Sequence, residues 1–236
     1  MIYICSGLHG RYDLWSALLA KLNLRSDDTL YILGDVIDRG PEGVEILQDI
    51  MARPNVLPIL GNHELTAAFC LPWLLEEITD RSLSELDDTR LAALREWILN
   101  GGGPTLRGLK RISLSARKDI LTYLREMDLY AQVKAGGRSF VLTHAGLNHF
   151  SPHRPLEDYQ LTDFLFCRPQ TDMEFWADRY LVYGHTPTRL LRQQMGEPPE
   201  DTILHLKMQI AIDCGCGFGG KLGCLCADTL EEFYVE

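Results

Sequence analysis

The stretch "MIYICSGLHGRYDLWSALL" (residues 1–19) decides the fold. An apolar run at 2–5 stops at Ser6-Gly7-Leu8-His9-Gly10, and a helical pattern follows at once, with Leu14, Leu18, Leu19 and Leu22 on one face. A strand that ends in a polar turn and passes straight into a helix is the opening unit of an α/β fold. The unit recurs. Residues 29–33 ("TLYIL") lead to a helix from Pro41, where proline suits the first turn, and residues 56–60 ("VLPIL") lead to a helix beginning near His63. This βαβαβ rhythm predicts parallel strands.

Residues from about 71 to 127 read as mostly helical, interrupted by "NGGGPT", where Gly101, Gly102 and Gly103 end one helix and Pro104 bars its continuation. Strand patterns return in "RSFVLTH", "YLVYGH", "MQIAID" and "EEFYVE", while "RQQMGEPPED" reads as a loop. With no internal repeat or linker, the expectation is a single domain over 1–236 with a helical insertion at about 71–127. The 236 residues are 46% hydrophobic, enough for a sizeable core, and carry a formal charge of -10. That charge argues against broad attraction to nucleic acid or anionic membrane. No apolar run approaches the roughly 18 residues of a membrane span, and the start has no basic region or cleavage site, so a cytoplasmic location is expected.

Seven cysteines make an odd count that does not suggest a disulfide framework. Cys214, Cys216, Cys224 and Cys226 flank Gly219-Gly220. If this is a hairpin, each pair shares a face, as a four-thiolate zinc site or as small apolar residues in packed strands; the second reading is preferred.

Five segments share one design, in which an apolar strand ends and metal-competent or charged residues follow. They are His9-Gly10, "GDVIDRG" (34–40), "GNHE" (61–64), "THAG" (143–146) and "GHTP" (184–187). In open α/β sheets ligands gather outside the carboxyl ends of the strands, so residues far apart in sequence can converge there. Each segment alone is weak, since Asn62 could be a helix cap and Asp38-Arg39 a surface ion pair. Five in series point to a site.

The series resembles the calcineurin-like metallophosphoesterases, in the branch of phosphoprotein phosphatases and symmetrical diadenosine tetraphosphatases. Their pattern is D-x-H-G, G-D-x-x-D-R-G, G-N-H-E, H-A-G and G-H-T-P; "NGG" at 100–102 and "IDCGCGFGGKL" near the end are also similar to bacterial members. The resemblance implies a sandwich of two β-sheets flanked by helices and a two-metal site. On it, Asp35 would bridge both ions, His9 would join the first, and Asn62, His144 and His185 would complete the second. Manganese suits such ligands, as do iron and zinc. The ions would activate a shared water, His63 would protonate the leaving group, Asp38 would orient His63, and Arg39 and Arg168 would clamp phosphate. Serine/threonine phosphoprotein or phosphopeptide dephosphorylation is the leading reading, with symmetrical dinucleoside tetraphosphate hydrolysis as the alternative. Trp73 and Trp97 read as core residues. The acidic cluster Glu76, Glu77, Asp80, Glu85, Asp87 and Asp88 reads as a solvated surface that slightly favours a peptide over a polyanionic nucleotide.

One position departs from the family pattern. Gly7 stands where its members have an aspartate on the first ion. Ser6 and Leu8 alternate to the other face, and Cys5 lies about 7 Å back along the strand. Two dications about 3.5 Å apart repel by about 20 kcal/mol at an effective dielectric near 20, so losing a carboxylate matters. The expectation is a first ion that is weak, absent or completed by solvent, in an impaired phosphatase or a non-catalytic phosphate-binding module.

Overall fold

The computed structural model describes residues 1–75, 88–168 and 171–236. The acidic cluster therefore lies outside the described residues, apart from Asp88. Strands β1 (Ile2–Cys5), β2 (Thr29–Ile32) and β3 (Val56–Pro58) are parallel, as the rhythm predicts. Helices α1 (Tyr12–Leu22) and α2 (Gly43–Met51) connect them, and α3 (Asn62–Leu75) follows β3. The chain then runs through α4 (Asp88–Trp97), a π-helical turn (Ile98–Gly102), α5 (Gly103–Arg111) and α6 (Leu114–Glu126). Gly101, at φ 103°, breaks the helical path, but the chain resumes as a helix at once. Pro104 opens α5 instead of ending a helix, because a first-turn proline has no amide that the helix needs.

The second sheet is built from β4 (Tyr130–Ala135), β5 (Arg138–Thr143), β6 (Tyr180–Tyr183), β7 (Leu204–Leu206) and β8 (Gln209–Ala211), in the order β4-β5-β6-β8-β7. Helices α7 (Leu161–Leu165) and α8 (Thr188–Gln194) lie between its strands in sequence. Strands β9 (Leu222–Cys226) and β10 (Glu232–Val235) return to the first sheet, giving β10-β9-β1-β2-β3. Each sheet thus has three parallel strands, with antiparallel strands beside them.

Side-chain alternation separates the layers. Tyr3, Cys5, Leu30 and Ile32 face a core shared with α1, α2 and α3 through residues such as Trp15, Leu47 and Leu71. Ile4 and Leu225 face the opposite way, into a core with Phe140, Leu142, Val182 and Ile210 of the second sheet. The far side of that sheet carries Val141, Leu181 and Tyr183 against Phe164, Phe175 and Trp176. The result is a two-sheet sandwich with helices on its outer faces. Among the described residues, no helix is long and apolar enough to cross a membrane.

The cysteines follow these layers. Cys216, Cys224 and Cys226 join the helix-side core, whereas Cys214 joins the inter-sheet core. Cys214 stands in a loop and Cys216 in a short 3-10 turn, so the expected hairpin does not form. The four thiols are buried packing groups divided between two cores, which argues against a single four-thiolate site. Phe140, 1% exposed between the sheets, is the anchor to remove: Phe140→Ala should destabilise the fold by about 3–5 kcal/mol, measured by urea unfolding.

Candidate metal and catalytic site

The carboxyl ends of β1, β2, β3, β5 and β6 deliver His9, Asp35, Asn62, His144 and His185 to one locus. Five candidate residues here hold backbone torsions that L-residues avoid: His9 (φ 43°), Asp35 (φ 57°), Asp38 (φ 70°), Arg39 (φ 67°) and His185 (φ 66°). Such left-handed positions cost about 1–3 kcal/mol each and persist where surrounding contacts over-determine them.

Glu64 supplies much of that constraint. Its buried carboxylate accepts the amides of Asp35 (2.8 Å) and Gly61 (3.2 Å) on Oε2, and of Val36 (2.9 Å) and Ile37 (3.2 Å) on Oε1. It thereby ties the turn after β2 to the turn after β3. Nothing in the motif "GNHE" alone announces this role.

Two groups of donors share Asp35. His9, Asp35 and His63 form one, and Asp35, His144 and His185 the other; within each, the ligand atoms lie within 4.8 Å of one another. The imidazole tautomers follow from the backbone. His144 Nδ1 faces the Leu33 carbonyl at 2.8 Å and must donate, which leaves a lone pair on Nε2. That Nε2 lies 2.9 Å from Asn62 Oδ1, 3.1 Å from His185 Nδ1 and 3.5 Å from Asp35 Oδ1. His185 Nδ1 is itself 3.0 Å from Asn62 Oδ1. Asp35 Oδ1 is buried with no hydrogen-bond partner. Acceptors converging in this way fit a divalent cation, and the mixed nitrogen and oxygen set suits a transition metal.

His9 is arranged similarly. Nδ1 donates to the Ile37 carbonyl (3.1 Å), and Nε2 lies 3.5 Å from Asp35 Oδ2. Burial pushes the His9 pKa down to about 3 and the His185 pKa down to about 4. Burial would raise Asp35, but His144, His63, His9 and His185 around it bring it below the ordinary carboxylate range. Neutral imidazoles around an ionised carboxylate are the protonation states a metal requires.

His63 stands beside this locus. Its Nδ1 is 2.7 Å from Asp38 Oδ2. Asp38 is itself fixed by Trp97 Nε1 (2.9 Å to Oδ2) and by the Thr105 hydroxyl (2.6 Å to Oδ1). Burial alone would lower the His63 pKa; the carboxylates of Asp35 and Asp38 outweigh it, so the pKa is raised. Trp97 is a core residue as expected, but its indole N–H also holds Asp38, a role its buried position in sequence does not announce.

Arg39 donates to His9 Nε2 at 2.7 Å, approaches His63 Nε2 at 3.3 Å, and stacks on Phe218 with its Cζ 4.2 Å from the ring centroid. Its amide donates to Gly101 O at 2.8 Å, so the "NGG" turn orients it. Arg168 is exposed and close enough to His185 for its charge to help lower that imidazole. Gly7 has φ +68°, and a Cβ there would stand 3.1 Å from Asp213 Oδ1. Asp213, 3% exposed, follows β8 as the other site residues follow their strands.

A two-sheet sandwich with imidazole, amide and carboxylate donors gathered at its strand ends defines a class of protein whose site could hold metal ions. The family model of the calcineurin-like phosphoesterases matches residues 1–205, and the chain belongs to that family. The symmetrical bis(5'-nucleosyl)-tetraphosphatase of Acidovorax sp. (strain JS42) is 29% identical over 148 residues, covering 62% of this chain and 44% of the relative. Serine/threonine-protein phosphatase 2 of Salmonella typhimurium is 28% identical over 145 residues, covering 61% and 57%. The chain thus spans about half the length of these two relatives. A crystal structure of a protein proposed to be a diadenosine tetraphosphatase superposes with a TM-score of 0.67 at 17% identity, covering 99% of this chain and 92% of that one.

Glu64→Gln tests the constraint on the site. Each Glu64 oxygen serves two amides, so an amide NH₂ in either orientation would face two buried N–H groups. At about 1–3 kcal/mol for each lost partner, the variant should lose about 2–6 kcal/mol in urea unfolding.

Proposed function

We propose that this chain is a metal-dependent hydrolase of phosphoric esters or anhydrides, with His63 as general acid. The observation that carries the reading is the His63–Asp38 pair at 2.7 Å, beside the converging acceptors of Asp35, Asn62, His144 and His185. Divalent ions held there would supply an activated water and charge stabilisation at phosphorus. Asp35 would serve both ions, His9 the first, and Asn62, His144 and His185 the second. Asp38 keeps the proton on His63 Nδ1, which turns Nε2 toward the side where Arg39 lies. From that nitrogen a protonated His63 would hand a proton to the departing oxygen. Arg39 and the more exposed Arg168 would hold the phosphate, Arg39 through its planar fork.

For the substrate, phosphoserine or phosphothreonine in proteins is one reading, supported by the phosphatase from Salmonella among the relatives. A dinucleoside polyphosphate is favoured by a particular observation. Phe218 is 59% exposed, lies over Arg39, and stands with its centroid 6.5 Å from that of His9. An open aromatic face beside a phosphate-binding arginine suits a stacked nucleobase. The symmetrical bis(5'-nucleosyl)-tetraphosphatase of Acidovorax among the relatives supports this choice.

Two measurements follow. His63→Asn should lower kcat about 10²–10⁴-fold on an alkyl phosphate, whose leaving oxygen needs a proton, and far less on para-nitrophenyl phosphate. Equal losses on both would remove His63 from the general-acid role. In manganese buffer, Phe218→Ala should raise KM for diadenosine tetraphosphate more than for para-nitrophenyl phosphate, which shares the Arg39 contact but has no nucleobase; turnover of a phosphoserine peptide alone would favour the protein substrate.

A further inference from the structure

We propose that Asp213 is the anionic partner of the first metal position, taking over the charge that Gly7 does not provide. This rests on the metal-dependent reading above. Three observations support it. The Asp213 carboxylate occupies the space into which a side chain at residue 7 would project: a Cβ on Gly7 would meet Oδ1 at 3.1 Å, Cγ at 3.3 Å and Oδ2 at 3.4 Å. The carboxylate is buried, accepts the Gly215 amide on Oδ1 at 2.9 Å, and is close enough to Asp35 and Arg39 to feel the charge of both. It also follows β8 directly, so a sixth strand end contributes to the same locus.

The compensation is non-local, which is why the neighbours Cys5, Ser6 and Leu8 do not reveal it. Asp213 lies outside the two tight donor groups, so in the arrangement seen it is a charge partner and not a direct ligand. A carboxylate at this range still offsets the repulsion between two dications, and partners of this kind typically change metal affinity 10–100-fold. The same packing explains what an aspartate at residue 7 would encounter. It would have to adopt a left-handed backbone and bring a second carboxylate against Asp213, so Gly7→Asp alone should gain no metal beyond the unaltered chain.

The experiment exchanges the charge between the two positions and counts ions. The full chain, Asp213→Asn, and the double variant Gly7→Asp/Asp213→Asn are loaded with manganese, and bound metal is read by titration and elemental analysis, with folding checked by circular dichroism. The unaltered chain should bind two ions. Asp213→Asn, which keeps an acceptor for the Gly215 amide, should hold the second-site ion and bind the other at least tenfold more weakly. The double variant should recover two. Unchanged binding in Asp213→Asn, or a folded double variant that recovers nothing, would overturn the role of Asp213. A single ion in the unaltered chain would do the same. Absence of any ion from the unaltered chain would instead overturn the metal-dependent reading itself. Should Asp213→Asn not fold, Asp213→Ser removes the charge and keeps an acceptor.

Discussion

The Glu64 carboxylate is the constraint on which the site's geometry depends. By receiving amides from Asp35, Val36, Ile37 and Gly61, it holds the chain after β2 in a conformation that the backbone would not adopt unaided. Asp35, Asp38 and Arg39 all have positive φ within or just beyond this turn. Their unfavourable torsions point two carboxylates and a guanidinium into one space. The energy comes from satisfying buried amides, and it is spent on orientation.

A second layer of organisation acts on protons. Backbone carbonyls of Leu33 and Ile37 select the tautomers of His144 and His9, leaving a lone pair directed inward from each ring. Asp38 does the same for His63, but with a charged acceptor and with Trp97 and Thr105 holding that acceptor still. The imidazoles therefore divide into two kinds. His9 and His185 are kept neutral by burial, whereas the pKa of His63 is raised by the carboxylates around it. Related side chains in one pocket are thereby prepared for different tasks.

Most strands are legible in the sequence because their patterns are local, and β1 to β3 alternate with α1 and α2, each with a clear apolar face; β4, β7, β9, α7 and α8 are not announced in this way. The donors at five strand ends were legible for the same reason, since each stands directly after its strand. Glu64, Trp97 and Thr105 were not, because what they do depends on partners 27 to 67 positions away. Asp213 is the instructive case. It obeys the strand-end rule in "MQIAID", yet its bearing on Gly7 appears only when β8 of the second sheet is set against β1 of the first. Pro104 is ambiguous in sequence because a proline that stops one helix can equally begin the next, as it does in α5.

The pairing of β1 with β9 sets Tyr3 beside Cys226, Ile4 beside Leu225 and Cys5 beside Cys224. On the ribosome, the strand that carries His9 toward its place emerges well before β9 and must wait for a neighbour encoded more than two hundred codons later. Until that neighbour arrives, β1 has an open edge on one side, and the turn bearing Phe218 has not been made. Vectorial synthesis thus leaves the pocket incomplete until β9 has left the exit tunnel, and the slow closure expected of such long-range pairing waits for that strand.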